Sequence, residues 1–183
     1  MLTDPSFWLV QGLNSLQLAM LLFLLSVGLT VIFGLMNFVN LAHGSLYALG
    51  AFIGYSIAEA LGSVWFAYLF SPLAVAAIGA LLYVTLIDRM RTAGPLPQVL
   101  VTFGLIFVLI DAQKYLWGTD AVGVTEGVPF SGTIHVLGEP YPAYRLFIIT
   151  IGALVYLGLH LLLNRTRLGA EVRCLLYTSD AAD

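Results

Sequence analysis

Four polar side chains stand close together in an otherwise apolar stretch: Asn37, Asn40, His43 and Ser45. Amides, an imidazole and a hydroxyl can exchange hydrogen bonds with a polar solute. They supply no nucleophile with an oriented base, and His43, His135 and His160 are too scattered to form a metal ligand set. The chemistry on offer is recognition and passage rather than bond breaking, and these four residues are the candidate substrate pathway. No G-x-x-x-x-G-K-[ST], H-E-x-x-H or G-x-S-x-G occurs. The only lysine, Lys114, follows Gln113, so the chain has no loop of the P-loop kind to cradle ATP phosphates. An enzymatic role, a cofactor and a metal site all lack support in the sequence.

Small residues surround the polar cluster. Gly44, Ala48 and Ala51 recur at helical spacing, and Gly50-Ala51-Phe52-Ile53-Gly54 is a G-x-x-x-G. In lipid, packing drives helix association, so small residues let two backbones approach closely; Gly44, Gly50 and Gly54 are the candidate helix-packing positions. Two readings fit the stretch. One is a broken helix over residues 37–45, with a half-helix starting near Gly44 whose first N–H groups point into a path and suit a zwitterion's carboxylate. The other is a tight helix pair joined by an interfacial connector.

The elements that must carry these residues are membrane helices. Hydrophobic residues make up 60 % of the 183-residue chain and charged residues 9 %, where a soluble domain carries roughly a quarter. A net charge of −3 offers no basic face for nucleic acid. The single cysteine, Cys174, allows no internal disulfide. No charge occurs between Asp4 and Glu59, which is room for two crossings at about 20 residues each. The pattern predicts an all-α polytopic membrane protein with about five transmembrane helices, at residues 13–35, 45–61, 65–87, 98–117 and 144–163. It shows none of the short alternating strands of a membrane barrel.

Basic residues set the orientation. Arg89 and Arg91 follow the third span and Arg165, Arg167 and Arg173 follow the fifth, so both ends face the cytoplasm. The loop from Gly118 to Ala143 holds Asp120, Glu126 and Glu139 with no lysine or arginine, and faces outward. Counting back puts the N-terminus outside, or inside if the second segment is re-entrant. The density of Gly and Pro in the outer loop predicts a compact cap with a short hairpin around Gly132–Val136. The cluster Thr92–Pro97 separates the third span from the fourth. Pro72 should bend the third span and leave a carbonyl to be satisfied by Ser71, water or a neighbour. Asp111 and Lys114 share a helix face and can pair; Glu59 and His160 read as interfacial side chains.

The step to a substrate comes from resemblance. The run Gly28-Leu29-Thr30-Val31-Ile32-Phe33-Gly34 through Asn40-Leu41-Ala42-His43-Gly44, followed by Ala48-Leu49-Gly50-Ala51, resembles the hallmark of the branched-chain amino acid ABC transporter permease family. Leu100–Gly104 and Asn164–Arg173 resemble it too, in family order. The resemblance implies a permease subunit of an importer in the bacterial inner membrane. A second permease subunit, two cytoplasmic ATPase subunits and a periplasmic substrate-binding protein would be its partners. Urea or short-chain amide permeases share much of the pattern. Readings from other classes are a channel or secondary transporter without an ATPase, and a purely structural membrane subunit. Family members continue beyond the Arg165–Arg173 segment, whereas residues 174–183 resemble translated adapter read-through. The expectation is a C-terminally truncated permease domain over residues 1–173 with a non-native tail.

Overall fold

The computed structural model describes residues 5–36, 38–90, 93–124, 130, 132–136, 138–166 and 169. Asn37, Arg91, Glu126, Arg167, Arg173 and the tail at 174–183 lie outside the described residues. The pathway role expected of Asn37 and the non-native character expected of the tail lie outside them too. Helices dominate, as composition predicts. The chain divides into two compact units, one of residues 36–128 and one of residues 1–35 with 129–183.

In the unit of residues 36–128, helix α2 (His43–Leu61) ends on Gly62, whose φ of 63° is the left-handed conformation that a helix terminus needs and glycine gives without strain. Ser63 then leads directly into α3 (Val64–Leu82), so α2 and α3 form an antiparallel pair. A Cβ placed on Gly54 would lie 3.6 Å from Ser71 Oγ, and one on Gly50 would lie 3.3 Å from Val75 Cγ2. The G-x-x-x-G is therefore the face on which α3 rides. Gly44, the third candidate packing position, has no neighbour within 4 Å of such a Cβ and is exposed, so this contact excludes it. It sits nearly two turns before Gly50, at the exposed start of the helix.

Ser71 Oγ donates to Gly50 O at 2.6 Å, across the pair. Pro72 sits inside α3 as read, but the Ser71 hydroxyl is committed to α2 and does not serve α3's own carbonyls. The helix then passes through a π turn (Tyr83–Ile87) into the short α4 (Asp88–Met90). Thr85 returns its hydroxyl to Leu81 O at 2.7 Å. Helix α5 (Pro95–Trp117) begins three residues earlier than the sequence reading, because Pro95 and Pro97 fall in the first turn, where a missing N–H has no helical partner to lose.

The second unit holds α1 (Pro5–Met36), a hairpin and α6 (Ala143–Arg165). At 32 residues α1 is about 48 Å long, more than the roughly 30 Å of a hydrocarbon core. It begins at Pro5 rather than Leu13. Its hydroxyls turn back on its own carbonyls: Ser15 to Gln11 O at 2.9 Å, Ser26 to Phe23 O at 3.0 Å and Thr30 to Ser26 O at 2.8 Å. Polar groups satisfied within one helix can face lipid. Strands β1 (Thr133–Val136) and β2 (Glu139–Pro142) pair antiparallel, with Ile134 opposite Tyr141, as the hairpin reading predicts.

Helices α1 and α6 touch at three levels: Asn14 with Arg145, Met20 with Gly152, and Phe23 with Tyr156 at 5.9 Å between ring centroids. Ascending numbers match ascending numbers, so the two helices run parallel. The start of α1 thus lies at the end of α6 that is far from Arg165.

Four helices among the described residues are long and apolar enough to cross a membrane: Ser6–Gly34, Val64–Met90, Pro95–Trp117 and Ala143–Arg165. The remaining expected span, residues 45–61, forms α2. Its 19 residues give about 28 Å, but His43, Ser45 and Glu59 dilute its apolarity and leave it outside this group.

Candidate functional site

The polar break lies where backbone groups are hardest to satisfy. Between α1 and α2 the chain leaves helical conformation over residues 38–42, with Phe38 at 2 %, Asn40 at 6 % and Ala42 at 0 % exposure. Asn40 Oδ1 accepts from Ala42 N at 3.1 Å, an Asx-type turn, and Asn40 O accepts from His43 N at 3.4 Å. Asn40 thus folds the turn that launches α2. His43 and Ser45 are half-buried on the first turn of that helix, which no side chain caps.

Helix α5 supplies the other wall. Gln98, Thr102, Leu105, Leu109 and Gln113 are its buried residues, and their spacing of three and four makes one stripe. Gln113 Nε2 donates to Ser45 O at 3.0 Å. Thr102, fully buried, shares its hydroxyl proton among Gln98 O at 3.0 Å, Val99 O at 3.2 Å and, most weakly, Val39 O at 3.5 Å. Gln98 Nε2 reaches Met90 O at 3.4 Å. Between the polar positions, Leu105 and Leu109 join Ala42 and Leu49 in one apolar cluster, against which Ile78 and Leu82 pack.

These pairings fix the depth of the break. At 1.5 Å per residue, Thr102 stands about 10 Å along α5 from Pro95, and Gln113 about 27 Å along it. The segment from Val39 to Ser45 therefore climbs through the middle of α5 instead of lying at its end. Extending the antiparallel register of α2 on α3 brings Ala42 to the level of Leu82, about 12 Å before Met90. Irregular backbone at such depth persists only where protein or a wet cavity satisfies it; here Asn40 Oδ1 accepts from Ala42 N, and Thr102 reaches Val39 O at 3.5 Å.

The structure thus brings Asn40, His43 and Ser45 together at one helix start. It also brings in Gln98 and Gln113, which the sequence reading did not single out. Their signal was present: they are amides in an apolar span, on one helix face with Thr102.

Within the unit of residues 36–128, Asp111, Lys114 and Glu59 are not part of this cluster. Asp111 and Lys114 are both exposed on α5 and form no ion pair with each other, contrary to the pairing expected from their spacing; both point away from the buried stripe. Glu59 is exposed at the far end of α2. Trp117 Nε1 donates to Ser56 Oγ at 2.6 Å, and its ring lies 5.3 Å from Phe52, which ties the ends of α5 and α2 together. His160 is exposed, bonded to Asn164 at 3.1 Å and stacked on Tyr156.

Arg145, absent from the sequence reading, donates to Asn14 Oδ1 at 2.5 Å and to Tyr144 Oη at 3.3 Å. Its guanidinium stands 5.9 Å from the ring centroids of both Tyr141 and Tyr144, within cation–π range.

Among known families, the one described as "Branched-chain amino acid transport system / permease component" matches residues 12–183. No curated protein and no solved structure matches the chain. A helical chain with four helices fit to cross a membrane among its described residues, matched over nearly its full length by that family, is a multi-pass membrane protein and a transport permease component: it belongs to the branched-chain amino acid transport permease family.

Proposed function

We propose that this chain forms part of the substrate pathway of an ABC importer for branched-chain amino acids in a bacterial inner membrane. The observation that carries the reading is the break at residues 38–42 with the first turn of α2, held at mid-depth against a stripe of α5. Energy enters through two cytoplasmic ATPase subunits. A second permease subunit completes the path, and a periplasmic binding protein delivers substrate. Alternating access then requires interactions that differ between inward- and outward-open states. Within the candidate set, His43 and Ser45 on the uncapped first turn of α2 are better placed to meet substrate than Asn40, whose acceptor oxygen is used by its own turn. Asn37 remains a candidate by sequence position alone.

The test is uptake by proteoliposomes holding the chain in its full assembly, with binding protein outside and ATP inside. ATP-dependent accumulation of leucine, isoleucine or valine supports the reading. Accumulation of urea or a short amide in their place moves the substrate to the related class, and substrate flux independent of the ATPases overturns the importer mechanism. Cysteine labelling tests the path itself. Ser45→Cys should react with a water-soluble maleimide in at least one nucleotide state; no reaction in any state removes the break from the pathway.

A further inference from the structure

A second feature lies at the other end of the same unit. Helix α2 and the segment after α5 flank a half-open cavity of about 330 Å³ lined by Ala51, Phe52 and Tyr55 on one side and by Asp120 to Val124 on the other. That is the lower end of the range for small-molecule sites, room for an amino acid. Val124 anchors the loop by packing on the cluster of Ala58, Val64 and Ala67. On the orientation that the basic residues predict, this end faces outward.

The lining has two kinds of chemistry. Asp120 is exposed at the mouth and has no ion-pair partner among the described residues. Beside it, Phe52 and Tyr55 present aromatic surface, which attracts a cation through the ring quadrupole. Ala51, Val122 and Val124 add aliphatic surface. A carboxylate and aromatic rings for an ammonium, beside aliphatic walls for a side chain, match the cationic and apolar ends of an aliphatic amino acid.

We infer that this cavity is a docking site for the substrate at the outer mouth, holding the ammonium at Asp120 and the aromatic pair before the substrate moves towards the break. The inference rests on the amino acid import proposed above and deepens it by adding a waiting position. Its affinity is modest, because Asp120 is solvent-exposed and its attraction is screened.

Trp117 makes the site readable, since its ring packs on Phe52 in the cavity wall. With Trp8 and Trp65 replaced by Phe, and the tryptophans of the partner subunits replaced likewise, Trp117 is the sole tryptophan of the assembly. The assembled permease in nanodiscs, without nucleotide or binding protein, is titrated with L-leucine, isoamylamine and 4-methylpentanoate. Leucine and the amine should change Trp117 fluorescence saturably, and the acid lacking an ammonium should not. Asp120→Asn, on an exposed loop where folding is insensitive to the change, should weaken leucine about tenfold, which corresponds to about 1.4 kcal/mol. In uptake, the same variant should raise the half-saturating concentration. An absent fluorescence response, a response to the acid alone, or an Asp120→Asn titration equal to wild type overturns the site. Leucine uptake that persists while the titrations fail sinks only this site. Saturable amine binding in an assembly that imports no amino acid sinks the import reading and leaves a cation site.

Discussion

The close approach of α2 and α3 predicts an unequal response of its two glycines. A methyl at Gly54 would find Ser71 at 3.6 Å and Ala67 at 4.0 Å, ordinary contact distances, so Gly54→Ala should be neutral to within about 0.5 kcal/mol. A methyl at Gly50 would meet Val75 Cγ2 at 3.3 Å, short by a few tenths of an ångström. If α3 gives by that amount, the Ser71 to Gly50 O bond lengthens from 2.6 Å towards ordinary length and survives. Gly50→Ala should thus cost at most about 1 kcal/mol. Gly50→Leu cannot be absorbed in this way. Overpacking costs roughly 1–3 kcal/mol, and separating the helices also breaks the Ser71 bond, which at membrane depth contributes about 0.6 and up to about 1.7 kcal/mol. A double-mutant cycle isolates that part. Ser71→Ala should cost its full amount in wild type and nearly nothing in Gly50→Leu, where the bond is already lost. Stability is read by far-UV circular dichroism during SDS titration from mixed micelles. Equal costs of Ser71→Ala in both backgrounds, or a Gly54→Ala loss as large as that of Gly50→Leu, would refute the packing argument.

Buried polar groups give two further outcomes. Gln113→Leu removes the donor to Ser45 O and should cost about 1 kcal/mol in the same titration, since that carbonyl keeps its helical partner; Gln113→Glu sets a carboxylate against the carbonyl and should cost at least about 2 kcal/mol more. Tyr141 is 1 % exposed and its hydroxyl has no hydrogen-bond partner among the described residues. Tyr141→Phe should therefore be neutral or stabilising by up to about 1 kcal/mol, measured as a thermal shift, and a loss above about 1 kcal/mol would reveal a partner for that hydroxyl.

Much of the architecture is written in composition. A charge-free run from Pro5 to Ala58 leaves helices as the available structure in lipid, and Gly62, Gly94 and Gly118 mark where helices end or begin. The break at Asn40 to Ser45 is legible because polar residues interrupt that run. Its depth is not, since depth depends on which residues of α5 face it, and Gln98 and Gln113 are about fifteen positions apart, four turns of helix, in a span read chiefly for its apolarity. The Asp111–Lys114 pairing failed for a related reason: spacing puts two side chains on one face but does not make exposed, flexible chains meet. Arg145 escaped notice because charge bias weighs residues that flank spans, and it lies within one.

The π turn at Tyr83–Ile87 has an effect on angular phase. A π turn holds one residue more than the α turn it replaces, and one residue is about 100° of azimuth. Beyond it, every position of the helix occupies the direction that its predecessor would have held in an unbroken α-helix. Met90 therefore presents its carbonyl to Gln98 from a rotated stance. Removing one residue from the turn would leave the Gly50–Ser71 seam in register while swinging Asp88 to Met90 round the axis by about a quarter turn. The helix thus contains two segments with separate angular settings. The membrane-embedded face and the end that bears Arg89 can be tuned independently of one another.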